Sequence, residues 1–362
     1  MKKNNVKHKI LLISNMYPSE LNPNYGVFVK NTEDILIKNN YIVDKIVITK
    51  ENNKIKKVLS YLKHYFNIIK FGIIGDYKTI YVHYASHNSI PILILTKLKH
   101  NVNICTNLHG SDVVPEKWIH EKFQPYVDKL LKKSRCIIVP SNYYKDKVTK
   151  KYNIETAKIK VFPSGGINKE YFYEKKSSSK KKYIGIVGRI EYKKGWDVFL
   201  KFICNVKELP MFKEYKFIVV GDGNQRQEFY RLVEELEIED RIEKYNMISQ
   251  ESLNDIYNKM EVLCFPTMRE GESLGLVGLE AMACGTPVIG SNIGGLKDYI
   301  IDNKNGYLFE PGNVEDLTNK MIEYIMKSED EKICFKKSAL ETAERYEVNK
   351  ISSKLINIFE EI

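Results

Sequence analysis

A chain of 362 residues is long enough for about two domains, each able to bury its own core. That length excludes a peptide hormone or disulfide mini-protein; 43% hydrophobic and 28% charged residues are an ordinary soluble balance, and no apolar run approaches the roughly 18 residues that cross a bilayer. The net charge of +11 invites a nucleic-acid partner, but only seven of the 57 basic residues are arginine, and readers of bases and phosphates favour the bidentate guanidinium.

In chain order, the apolar stretch 10–13 is too short for a signal-peptide core and soon meets Pro18, so a cytoplasmic chain is expected. Runs rich in β-branched residues follow at 10–14, 45–49, 79–83, 103–107, 136–139 and 160–162, with helical patterns between them. That alternation predicts an α/β fold with a parallel, doubly wound sheet. Residues 54–72 mix five lysines with Leu59, Leu62, Phe66 and Ile69, the composition of an interfacial helix; a core helix with a lysine-rich outer face accounts for it equally well. A polar run at 174–182 predicts a linker. Alternation restarts at 183–187, 216–220, 262–266 and 287–290, and helices follow from about 314. The expected organisation is a first domain over 1–173, a second over 183–345, and a closing helix over 346–362 that returns to the first.

The halves differ in charge. Residues 1–180 hold 32 Lys and Arg against 14 Asp and Glu, whereas residues 181–362 hold 25 against 32. The basic half is expected to meet something anionic, either a membrane surface or a phosphate-bearing substrate. Six scattered cysteines without C-x-x-C spacing argue against a metal or disulfide framework and are expected to be reduced, buried thiols.

In open α/β sheets ligands bind beyond the carboxyl ends of strands, so the loops there carry the functional signal. The densest is 268–291, where Glu270, Gly271, Glu272 and Gly275 lead into a helix reaching about Cys284. A glycine-containing loop entering a helix offers free N–H groups to an anion. Glu272 before that helix and Glu280 inside it suit hydroxyls held beside phosphates. Arg189 and Lys194, after the 183–187 strand, could clamp a diphosphate or sit on a solvated loop. Gly221-Asp222-Gly223 starts a dinucleotide fingerprint that fails at Arg226, disfavouring a nicotinamide enzyme. His109-Gly110-Ser111-Asp112 and the Gly26 loop are binding-loop candidates in the first half.

Together these motifs resemble family 4 glycosyltransferases of the GT-B fold over nearly the whole chain, in the type that builds bacterial cell-envelope polysaccharides. The strongest match is Glu272-x7-Glu280 followed by Ala281-Met282-Ala283-Cys284-Gly285-Thr286-Pro287. It is supported by Val187-Gly188-Arg189 with Lys194-Gly195, by Val220-Gly221-Asp222-Gly223, by the His109 quartet and by Gly26-Val27-Phe28-Val29. Asp298 departs from the pattern, where members commonly carry Glu.

The resemblance implies two Rossmann-like domains facing a cleft and transfer of a sugar from a nucleotide donor, a UDP-sugar being expected, with retention of configuration and no cofactor or metal. The acceptor would be a saccharide, free or lipid-linked. By motif match Arg189 and Lys194 would hold the diphosphate, with Glu272 and His109 completing the catalytic group. Gly26, Asp112, Gly221, Gly223, Ser273, Leu274, Gly275, Leu276 and Glu280 would bind the donor, Glu280 taking the ribose. The competing readings are a GT-B sugar-nucleotide 2-epimerase and a non-catalytic nucleotide-sugar or nucleic-acid binding protein.

Overall fold

The computed structural model describes residues 7–22, 25–175, 182–246 and 248–362, so most of the expected linker lies outside the described residues. The chain divides into two compact units, Met1–Gly166 with Asn349–Ile362, and Ile167–Val348. Residues 167–173 go with the second unit, where Ile167 and Phe172 join its core.

In the first unit the strands are β1 (Lys9–Ser14), β2 (Ile42–Val47), β3 (Thr79–His83), β4 (Ile104–Asn107), β5 (Cys136–Val139) and β6 (Ile159–Val161). All pair in parallel, in the order β2-β1-β3-β4-β5-β6. The crossovers are α1 (Val27–Lys38), α2 (Lys54–Ile74), α3 (Ala85–Leu98), a single turn α4 (Gly110–Val113), α5 (Trp118–Lys133) and α6 (Asn142–Tyr152). Strands β3, β4 and β5 are buried at every position, as a sheet covered on both faces requires.

The second unit repeats the plan with β7 (Tyr183–Val187), α7 (Trp196–Val206), β8 (Lys216–Val220), α8 (Arg226–Glu235), β9 (Ile242–Tyr245), α9 (Gln250–Lys259), β10 (Val262–Phe265), α10 (Leu276–Ala283), β11 (Val288–Ser291) and β12 (Gly306–Phe309). Helices α11 (Val314–Ile325) and α12 (Glu329–Glu344) complete it. The strand order is β12-β11-β10-β7-β8-β9, again parallel. One face of this sheet packs on a cluster of fully buried rings, Phe199, Phe202, Phe212 and Phe217, with neighbouring centroids about 6 Å apart. Truncating any of these to Ala should cost about 3–5 kcal/mol.

The last helix, α13 (Val348–Glu361), belongs almost wholly to the first unit. Phe359 sets its ring 5.0 Å from Tyr81, and Glu360 and Glu361 pair with Lys7 and Lys160. No disulfide forms: all six cysteines are unbridged thiols, four of them buried, but Cys204 is only half-buried and Cys334, on α12, is exposed.

Helix α2 departs from the usual crossover. Its start is capped by Asn53, whose side chain accepts from the N–H groups of Ile55 and Lys56. Its buried residues are only His64, Ile68 and Gly72, and the last comes so close to Leu95 that a methyl group would not fit. Beside edge strand β2 it borders a hollow of about 740 Å³ to which it contributes Ser60, Lys63, His64, Asn67 and Phe71.

Candidate functional site

The order of the second sheet reverses between β7 and β10, so their carboxyl ends diverge and leave the crevice typical of doubly wound sheets. A pocket of about 110 Å³ lies there. Gly188, Arg189 and Lys194 line it from the loop after β7, Glu272 and Pro266 from the loop after β10, and Gly275, Leu276 and Val277 from the start of α10.

These loops are locked together. The N–H of Met268 donates to the carbonyl of Lys193 at 2.9 Å. A side chain at Gly195, which has φ of 79°, would run into the carbonyl of Pro266 only 1.8 Å away. Only a residue without Cβ meets both demands. Gly221 and Gly223 play a similar structural part, each lying against the loop after β7, at the carbonyls of Gly188 and Ile190. Neither lines the pocket, so the structure gives them close backbone packing where the motif match implies donor contact.

Lys194 Nζ stands 2.8 Å from Glu272 Oε2, with the two side chains only 17% and 13% exposed. Thr267 donates its hydroxyl to the same oxygen at 3.2 Å. Burial alone would push the Glu272 carboxyl up, but the charge and hydrogen bond of Lys194, with Arg269 and Thr267, hold it below its ordinary value. Glu272 is therefore a carboxylate at neutral pH. Arg189 is 57% exposed and pairs with Glu191 at 2.8 Å, so the two expected clamp cations each rest on a carboxylate. Lys194 spends one of its three N–H donors on Glu272 and has two to offer an anion.

Helix α10 begins at Gly275, in the left-handed region at φ 78°, with no side chain capping it. Its first N–H groups have no acceptor within the helix and face the pocket lined by Gly275, Leu276 and Val277. Leu274 instead turns into the core at 1% exposure, leaving only its backbone to any ligand, and Ser273 does not line the pocket. Glu280 sits one turn inside α10, outside the pocket lining, and accepts from the buried Tyr257 hydroxyl at 3.0 Å. Burial pushes its carboxyl up to about 7 against the pull of that hydrogen bond. Thr267 and Tyr257 are not among the residues the sequence singles out. Thr267 directly follows a strand end and was within reach of the loop rule; Tyr257 comes from α9 with no local signal.

In the first unit the sheet order reverses between β1 and β3, and the candidate residues gather near that end. His109 precedes α4 and is buried, its Nε2 3.2 Å from His83 Nδ1 and its ring 4.7 Å from Phe28. Burial drives it down to about 3, so it is a neutral imidazole across the physiological range. Asp112 is fully buried: one oxygen accepts from the backbone and hydroxyl of Ser86, the other from the N–H of His109. It fixes the β3 and β4 loops to each other and has no exposed surface with which to bind a donor. Gly26, at φ 78°, starts α1 hard against the backbone of Met16 and Tyr17, which excludes any Cβ.

Two doubly wound α/β units, the second with a pocket at its switch point, are the architecture of the GT-B fold. Residues 168–340 match the family described as "Glycosyl transferases group 1" and residues 7–166 the family described as "Glycosyltransferase Family 4". The chain belongs to the family 4 glycosyltransferases of the GT-B fold and is a glycosyltransferase enzyme. It is 26% identical over 309 residues to N-acetyl-alpha-D-glucosaminyl L-malate synthase of Bacillus anthracis, covering 78% of this chain and 74% of that one. It is 26% identical over 248 residues to the O-antigen chain mannosyltransferase RfbU of Salmonella typhimurium, covering 68% and 65%. Its fold superposes with a TM-score of 0.75 on Anabaena HepE in complex with UDP and glucose, at 14% identity over 98% of this chain and 100% of that one. The epimerase and non-catalytic readings find no support in these matches.

Proposed function

We propose that this chain transfers a sugar, with retention of configuration, from a nucleoside diphosphate donor to a saccharide, free or lipid-linked, in the synthesis of a cell-surface polysaccharide. The observation that carries the reading is Lys194, held at 2.8 Å by Glu272 in a pocket shared with the first turn of α10. A UDP-sugar is the expected donor, by likeness to HepE, and the O-antigen mannosyltransferase supports the polysaccharide assignment.

In this reading the bond from the anomeric carbon to the diphosphate breaks and its electron pair passes to the phosphate oxygen. Lys194, Arg189 and the N–H groups at Gly275 and Leu276 meet the charge that develops there. Arg189 exchanges Glu191 for the phosphate, which its exposure permits. Glu272, kept ionised, accepts from hydroxyls of the donor sugar, and Glu280 from those of the ribose. The acceptor hydroxyl attacks from the face the leaving group vacates, its proton going to the departing phosphate oxygen. Charge stabilisation by side chains and backbone makes a divalent ion unnecessary, so transfer should persist in excess EDTA.

The test is transfer by the purified full chain from a panel of UDP-sugars to saccharide and lipid-linked acceptors, with the product anomer read by NMR. A product of the donor's anomeric configuration, formed equally with EDTA, is expected. An inverted product, or activity lost to EDTA and restored by magnesium or manganese, would overturn the mechanism.

A further inference from the structure

Helix α2 carries an apolar face that the fold leaves uncovered. Ile55, Val58, Leu59, Leu62, Phe66 and Ile73 are all exposed, Leu62 at 62% and Phe66 at 64%. At 100° per residue these six fall within about 100° of arc, opposite the buried His64 and Ile68. Lys56, Lys63 and Lys70 recur every seven residues and so line one flank of that stripe. Lys54 and Lys57 stand near its start, and the helix contains no acidic residue. None of the five lysines forms an ion pair among the described residues, so their charge is free. On α3, packed alongside, Ile94 and Leu98 are exposed as well, with Lys97 between them.

From this arrangement we infer that α2 is the docking surface by which the chain lies on an anionic lipid bilayer. A stripe of large apolar side chains bordered by a lysine row matches a surface whose interior takes hydrocarbon and whose headgroups carry negative charge. The same charge argues against a second copy as the occupant: two such faces both carry net positive charge, with no acidic residue on α2 to offset it. No described helix is long and apolar enough to cross a membrane, so α2 lies in the interface rather than through it. The packing explains how the fold tolerates this. The side of α2 toward β2 carries Ser60, Lys63, His64, Asn67 and Phe71 along a hollow, and none of the six stripe residues reaches it.

The inference stands apart from the transfer reaction, and the experiment keeps them separate. The full chain is sedimented with vesicles of phosphatidylcholine alone and of phosphatidylcholine mixed with phosphatidylglycerol. Binding should require the anionic lipid and fall at least tenfold as salt rises from about 0.05 to 0.5 M. Leu62→Ser with Phe66→Ser, which leaves charge unchanged, should lower partitioning at least tenfold, as should Lys56→Glu with Lys63→Glu and Lys70→Glu. Both variants should keep wild-type thermal stability and wild-type transfer to a soluble acceptor without vesicles. Equal recovery with neutral and anionic vesicles, no binding at low salt, or binding that survives both variants would overturn the inference. So would a dimer in vesicle-free solution that the serine variant dissolves.

Discussion

The two units share one plan, strand and helix alternating into a six-stranded parallel sheet, yet they use their charge in opposite ways. Each holds a largely buried glutamate against a lysine. In the first, Glu33 is 3% exposed and accepts from Lys45 at 2.9 Å and, on its other oxygen, from the Tyr17 hydroxyl, to which Lys45 also donates, so Glu33 itself is closed off although Lys45 borders the hollow beside β2. In the second, Glu272 holds Lys194 at the same range, but the pair lines a pocket beside an uncapped helix start. One contact is a closed structural tie; the other leaves donors and acceptors unspent. A charged pair signals function here through what it leaves unsatisfied rather than through its burial.

The sharpest way to break that contrast is to delete both lysines. Lys194→Ala should cut transfer by about a hundredfold or more, since removing one group that meets leaving-group charge costs about 3–4 kcal/mol. It should also lower stability, because Glu272 is left buried without its partner. Lys194→Ala with Glu272→Gln should recover much of that stability and none of the activity. Lys45→Ala should lower stability alone, with turnover per folded molecule unchanged. Calorimetric melting beside initial rates decides it; equal loss of turnover in both lysine variants would erase the distinction.

Arg189→Ala sharpens it further. The side chain is largely exposed and, among the described residues, pairs with Glu191 alone, so melting should not move, while transfer should fall tenfold to a hundredfold. Near-wild-type turnover would remove Arg189 from the leaving-group site.

Legibility followed position in the sheet. The interior strands β1, β3, β4, β5, β7, β8, β10 and β11 emerge from the sequence to within a residue at each end, because burial on both faces forces a continuous β-branched run. The three misread strands are all edge strands. β2 is expected at 45–49 and forms at Ile42–Val47, whereas β6, expected at 160–162, forms at Ile159–Val161 and so matches as closely as the interior strands. β9 went unseen because its sequence IEKY is half-exposed throughout, and β12 because it is four residues opening on glycine. The site divided in the same way. Arg189, Lys194, Glu272 and Gly275 follow strand ends, which makes them loop candidates, and the motif match singles them out; they line one pocket. The burial of Asp112, the inward turn of Leu274, and the packing roles of Gly221 and Gly223 are tertiary facts with no local pattern.

The smallest effect belongs to Glu280, where the two units differ in how a carboxyl is stabilised. Glu33 has a lysine beside it; Glu280 has only the Tyr257 hydroxyl, and its carboxyl rises from an ordinary 4.5 to about 7. A carboxyl raised in the folded chain binds its proton more tightly there than in the unfolded chain, so its contribution to stability is present below about 4.5 and lost as pH climbs toward 7. Glu280→Gln removes that loss while keeping an oxygen for the tyrosine to donate to. The melting temperature of the variant relative to wild type should therefore rise by a degree or a few between pH 5 and 8 and then level off. Nucleoside diphosphate affinity should run the other way. In the wild type it should strengthen as pH rises through 7, because the ionised carboxylate accepts ribose hydroxyls better than the acid does, and in the variant it should be weaker and flat. Calorimetric titration across that range, with free UDP as the probe, tests both; an affinity that is flat with pH in the wild type would detach Glu280 from the ribose.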